Sequence, residues 1–343
     1  MKAAALLVLG AVLTAVAGPF AGAATGAPAR VRAQVRVTTQ EVGTPYELFG
    51  VSFPDAQHGH VVGTVGTILS TVDGGASWQP QTAPLGVGED GAAEVVDAVS
   101  FPDPQHGHAV GSTGSLLATS DGGATWASQP PPPPVQLDGN AVAWSFRAVS
   151  FSDANHGYAI GGRGSLLATT DAGASWQVFN NPGFGNLMGV VSIGPTQGQA
   201  VGWSGHVAGG IPFVTVATAD GGKTWEPRPS DFGPGVDALN FNAVAFPDPL
   251  HGYAVGDGGR IVATADGGHT WTLQRGGANE VMSGVVFRDA KRGVVVATAT
   301  LTTGVQKALV FATDDGGLTW VSRFAPDTVR LRGGVAFADQ STA

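Results

Sequence analysis

The chain is 343 residues long, with 13 % charged residues, 53 glycines, no cysteine and a formal net charge of −9. That length allows a large core, and sparse charge with abundant glycine argues against long surface helices and for short strands joined by turns. The acidic balance excludes a broad nucleic-acid footprint, and the missing cysteines exclude disulfides.

The first element is a processing segment. Met1 and Lys2 give a minimal positive start, Ala3 to Ala17 is apolar and uncharged, and Ala21-Gly22-Ala23 offers small residues of the A-x-A kind. This pattern predicts a signal peptide over residues 1–29 and an exported domain over 30–343, in a periplasmic, extracellular or lumenal compartment. A retained anchor is the alternative, although the run is short for a spanning helix. Residues Arg30 to Val42 then predict a lone strand.

From there the chain repeats itself. "STVDGGASW" (Ser70–Trp78) returns as "ATSDGGATW", "ATTDAGASW", "ATADGGKTW", "ATADGGHTW" and "ATDDGGLTW". The shared aspartates are Asp73, Asp121, Asp171, Asp220, Asp266 and Asp315, spaced 46 to 50 residues apart. The shared tryptophans are Trp78, Trp126, Trp176, Trp225, Trp271 and Trp320. Upstream of each lies a second phrase, as in "VSFPDPQHGHAVG" (Val99–Gly111), looser in repeats four and six. One repeat reads as four short strands separated by turn residues, which is the blade of a β-propeller. No segment carries helical periodicity over several turns.

The repeated phrase has a structural explanation. Aspartate at a tight turn accepts backbone hydrogen bonds, the glycines permit positive φ, and the tryptophan buries its ring against a neighbouring sheet. A calcium loop lacks the further acidic ligands it would need. Six repeats are complete, and "RGGVAFAD" near the C-terminus looks like the opening strand of another. The expected fold is therefore all-β, with six complete blades and a partial seventh formed by the termini.

"F-x-D-x-x-H-G-Y-A-V-G-x-x-G-x-x-x-A-T-x-D-G-G-x-T-W" resembles the repeat of photosystem II assembly/stability factor propellers, and more loosely the BNR/Asp-box repeats of sialidases. The resemblance spans Val51 to Trp320. It implies an exported or lumenal scaffold of seven blades that holds a client protein during assembly through a patch of arginines. This chain has 17 lysines and arginines in all and no cluster of them between its termini.

The residues give no catalytic centre. A sialidase needs an arginine triad and a tyrosine nucleophile. Yet Tyr158 and Tyr253 fall in the second-strand slot of His60 and His108. Glycosidases need facing carboxylates, and nothing in the spacing of Glu94, Asp97, Asp237, Asp257 and Glu280 selects a pair. His58, His106, His156 and His251 recur once per repeat, so they form a ring rather than a metal centre and are expected to tie to the aspartate turn of their own blade.

Repeats four and six depart from the others. Gly107 to Thr119 is 12 residues, while Gly198 to Thr218 and Gly293 to Thr313 are 20. The extra residues fall between strands two and three. That end of the blade also carries the variable fourth-to-first connections, including the proline run from Pro130. Loops on a rigid scaffold carry function, so this face is the expected partner site, with Trp144, Arg147, Arg163, Trp203, His206, Asp257 and Arg260 as its residues. The expected protein is a non-catalytic monomer with no cofactor or metal. Its partner is a client protein or membrane-protein complex, with a glycan as the second class and nucleic acid excluded.

Overall fold

The structure is a computed structural model. It describes residues 5–8, 38–85, 94–133, 135–137, 140–180, 185–203, 213–229, 240–301, 305–324 and 335–336. Six four-stranded antiparallel sheets follow in chain order, each with its strands in sequential order. We number them blades 1 to 6, over residues 48–80, 96–128, 146–180, 186–229, 241–275 and 280–324. The only helical turn among the described residues is Gly162–Gly164.

Blade 2 shows the plan. Val96–Ser100 pairs with Gly107–Gly111, which pairs with Leu116–Thr119, which pairs with Ala127–Ser128. The first strand of each blade lies innermost and packs on the first strands of its neighbours. The second strand is buried along its whole length in blades 1, 2, 3 and 5. The two-residue fourth strand of blade 2 is exposed.

A phenylalanine organises the seams between blades, with one exception. Phe101, just after the first strand of blade 2, lies so close over Gly107 that a Cβ there would sit 2.2 Å from the ring. His60 of blade 1 stacks on Phe101 at 3.6 Å, and Trp126 meets it edge-on at 5.8 Å. The same group recurs as His108, Phe151, Gly157 and Trp176, and as Tyr253, Phe287, Gly293 and Trp320. Offset and T-shaped ring pairs add about 0.5–1.5 kcal/mol each beyond buried area. Blade 4 has Ile193 where the phenylalanine should be. There Tyr158 of blade 3 crosses the seam, covers Gly198 and meets Trp225 edge-on at 5.3 Å.

The aspartate turns close each blade. Thr119 donates to Asp121 Oδ1 at 2.8 Å, and Thr125 donates through its backbone N–H to Oδ1 and through its hydroxyl to Oδ2. Gly123 N–H in turn donates to Thr119 Oγ1 at 2.9 Å. The pattern repeats in all six blades, and the donors spend the carboxylate oxygens. The Ser77 hydroxyl is the largest cause holding the Asp73 carboxyl near pKa 2, and the Thr224 backbone N–H does the same for Asp220. Gln81 and Gln129, each just past a fourth strand, and Gln274 on one reach across the seam to donate to the next blade's turn.

The histidine expectation needs one correction. His58, His106, His156 and His251 do not bind the aspartate turn through their rings. Each ring pairs through Nδ1 with the aspartate three residues earlier, Asp55, Asp103, Asp153 or Asp248. Backbone N–H donation from Gly122 to the Gln105 carbonyl links the two turns instead. In blade 6 Arg292 and Asp289 take the place of the pair.

Outside the blades, Ala5–Val8 pairs with Thr38–Glu41, and Val135–Leu137 pairs with Asn140–Val142 as a hairpin in the segment expected to be loop. The rest of residues 1–29, the expected signal peptide, lies outside the described residues.

Phe101→Ala removes the ring shared by three partners. It should destabilise the protein by about 3–5 kcal/mol in urea unfolding, against about 1–3 kcal/mol for Gly107→Ala, which forces the ring to move.

Candidate functional site

The two ends of the propeller differ. One end carries the aspartate turns, alike in all six blades, and the His–Asp turns of blades 1, 2, 3 and 5. The other end carries the starts of the first strands, the turns between strands two and three, and the variable connections. We call it the loop face. All six of the described site residues lie there.

At this end every first strand carries a β-bulge in the same place. The register shifts fall at Leu48/Gly50, Val96/Ala98, Phe146/Ala148, Leu187/Gly189, Phe241/Ala243 and Met282/Gly284. The residues skipped are Phe49, Asp97, Arg147, Met188, Asn242 and Ser283. A bulge re-aims the extra side chain and is common beside functional sites. The six innermost strands therefore present one ring of unlike side chains around the axis.

Asn242 is the hub of a polar network at this end. Its Oδ1 accepts from the Trp203 indole N–H at 3.0 Å, and its Nδ2 donates to Asp257 Oδ1 at 3.1 Å and to the Met282 carbonyl at 2.9 Å. Asn240 donates to Asp257 Oδ2 at 3.1 Å. Arg260 donates to the Asp257 carbonyl at 3.0 Å. Backbone bridges Trp203–Asn240 and Asp257–Val281 stitch blades 4, 5 and 6 along the same rim. Trp203 is held by its N–H yet keeps 43 % of its surface exposed. Arg275 pairs with Glu280 at 2.9 Å, donates to the Gly259 carbonyl and lies 4.7 Å from the Phe311 ring centre.

Across the axis, Arg147 and Asp97 form an ion pair at 3.6 Å between blades 3 and 2. Burial is the main influence on Asp97 and raises its pKa, with Arg147 opposing. Asp97 Oδ2 is buried without a partner among the described residues. Glu94, buried beside it, accepts from the Thr113 hydroxyl. Arg163 is exposed at φ 59°, its backbone N–H donating to Asn186 Oδ1 at 3.1 Å.

The expected residues therefore divide. Trp203, Asp257 and Arg260 come together in one network, and Arg147 and Arg163 stand on blade 3 of the same face. Trp144 belongs to the core and not the surface. It is 7 % exposed, packs with Val110, Leu116 and Phe146, and donates its indole N–H to the Pro132 carbonyl at 2.9 Å. The proline run thus serves as an acceptor for a core side chain. His206 lies outside the described residues, as does most of the blade 4 insertion. The blade 6 insertion lengthens strands, Gly293–Thr300 and Gln306–Thr313, instead of forming an irregular loop. Asn240 and Asn242 were missed by sequence reasoning. Alignment of the repeats holds the signal: the bulge position varies freely where its flanking residues do not.

The solved structures most like this one include a YCF48 bound to D1 peptide, at TM-score 0.58 and 24 % identity over 82 % of both chains. YCF48 from Cyanidioschyzon merolae matches at TM-score 0.60 and 20 % identity, covering 85 % of this chain and 89 % of that one. A GH74 enzyme from Niastella koreensis matches at TM-score 0.61 and 15 % identity, covering 83 % of this chain and 46 % of that one. At these identities the likeness concerns the fold. No curated protein sequence matches the chain. The family model described as photosynthesis system II assembly factor YCF48 matches residues 29–97 and 89–207, more than half of the chain, and the chain belongs to that family.

Proposed function

We propose that this protein is a non-catalytic, exported propeller that holds a client polypeptide on its loop face, acting as a monomer. The observation that carries the proposal is the exposed Trp203 indole, fixed by Asn242 within a network spanning three blades. A rigid, exposed aromatic ring is a low-entropy anchor for a peptide. Family membership and the YCF48 structure with bound D1 peptide support the same reading. So does the chemistry of the face. Asp257 is committed to two amides and Glu280 to Arg275, so neither stands free for the role of a glycosidase acid or base.

We also infer that the ring is completed by a reduced seventh blade from the two termini. Val335 packs against Val294, Val296, Val310 and Ala312 of blade 6, in the repeat position of Val244. Val42 packs against Val61 and Leu69 of blade 1. Both contacts support strands standing between blade 6 and blade 1.

A D1 peptide is the first probe. Binding followed by fluorescence anisotropy should weaken about tenfold or more in Trp203→Ala, with little change in thermal stability. Arg163→Asn, which keeps a residue tolerant of positive φ, should also weaken it. Equal affinity of both variants and the parent would overturn the loop-face assignment. Asn242→Ala should weaken binding less than Trp203→Ala while lowering the melting temperature, because it takes the partner from both the indole N–H and Asp257 Oδ1. Hydrolysis of fluorogenic glycosides, or glycan-array binding lost in Trp203→Ala, would move the protein to the glycan class.

A further inference from the structure

The residue after each His-Gly pair occupies one slot on the second strand and faces the next blade. In blade 5 it is Tyr253, which stacks on Phe287 at 3.5 Å and donates its hydroxyl to the Ala290 carbonyl at 2.9 Å. In blade 3 it is Tyr158. In blades 1 and 2 it is His60 and His108. Two of the seams are thus clamped by a titratable ring, where equivalent seams use a phenol that stays neutral.

These two histidines differ from the turn histidines. His58, His106, His156 and His251 are partly exposed, and each has a carboxylate within 3 Å. His60 and His108 are 2 % and 3 % exposed, lie parallel to a phenyl ring, and have no carboxylate at ion-pair distance among the described residues. Gln81 and His58 are the polar groups acting on His60, and the facing blade offers Phe101 and Trp126. The Ala154 carbonyl and His106 act on His108, with Phe151 facing it. In both rings Nδ1 is buried without a partner. A proton added there makes an N–H with nothing to accept it, on a cation out of water. The phenyl face attracts an imidazolium, but it supplies no acceptor for that N–H and does not replace the lost water.

We propose that His60 and His108 make the seams between blades 1, 2 and 3 acid-sensitive, so that protonation loosens this side of the propeller while the tyrosine-clamped seams hold. This goes beyond client binding and does not depend on it. Burial, the first cause, lowers His60 to a pKa of about 4 and His108 to about 3. The unfolded chain therefore binds more protons than the folded one. The stability contributed by the neutral rings is complete above about pH 6.5 and is lost as pH falls toward those values. The aspartate turns lose theirs only in more acidic solution, below the ordinary carboxylate value. The Asp97–Arg147 pair spans the same blade 2–3 seam at the loop face. The raised pKa of Asp97 lets it neutralise early and release Arg147 in the same direction.

The test compares melting temperatures of the full chain at about pH 7.5 and pH 4.5 with those of the double variant His60→Tyr, His108→Tyr. The parent should lose about 10 °C or more, and the variant less than half as much. An equal loss in both would overturn the proposal. A histidine side-chain NMR titration of the parent protein decides the matter even if the variant fails to fold. Two rings should remain neutral at pH 5, assigned by the single variants. Every ring charging near pH 6.5 would sink the idea.

Discussion

The fold depends on one constraint: a phenyl ring must lie flat on a strand and be covered from the preceding blade. Only a glycine leaves room beneath Phe101, Phe151 or Phe287, and only a flat partner stacks at 3.5 Å above. The tryptophan closes the edge. This explains why the first-strand phenylalanine, the His-Gly pair and the distant tryptophan travel together in the sequence. They are three sides of one contact. Blade 4 shows that the ring is what matters and not its origin. With Ile193 unable to serve, Tyr158 reaches over from blade 3 and covers Gly198 itself. A chain without cysteine has to hold its blades together by such packing, and it repeats the arrangement at successive seams.

Much of this was legible in the sequence because it is periodic. Asp121, its two glycines, Thr125 and Trp126 are local to one turn, and six copies average out the ambiguity of any single one. Strand order followed from turn chemistry alone. Contacts between blades were harder to read. His60 and Phe101 lie in different repeats, and nothing in the spacing says that one stacks on the other. The turn histidines were placed on the wrong aspartate for a related reason. Asp103 and His106 are near in sequence and satisfy each other, whereas the expected tie to the aspartate turn is made by backbone groups that sequence does not reveal.

The site was legible only as a face. Loop variability singled out one end of the propeller but not the side chains that build the polar network there. Trp144 and Trp203 look alike as isolated tryptophans outside the repeated phrase. One finds a carbonyl in the proline run and packs into the core; the other finds Asn242 and stays on the surface. That difference is set by which acceptor lies within reach of the indole N–H, a tertiary fact. Asn242 itself sits in "FNAVAF", where the repeat offers Asp97 and Arg147 as its equivalents. The bulge takes this position out of the ladder's pairing and so removes the demand for a particular residue.

That last point bears on what family membership can transmit. The residues that place the chain in its family are those that build seams and turns, and they crowd the end away from the loop face. The bulge ring answers to other demands. Its six members are a phenyl, a carboxylate, a guanidinium, a thioether, an amide and a hydroxyl. Exchanging one for another leaves the strands paired as before, since the ladder skips that residue. The scaffold can therefore stay constant while the loop face is rewritten, and two propellers that share every seam contact need not share a partner. Under the proposed reading, specificity would lie with Trp203, Asn242, Asp257 and Arg260, because the repeated phrase that makes the fold recognisable lies at the opposite end of the molecule from the loop face.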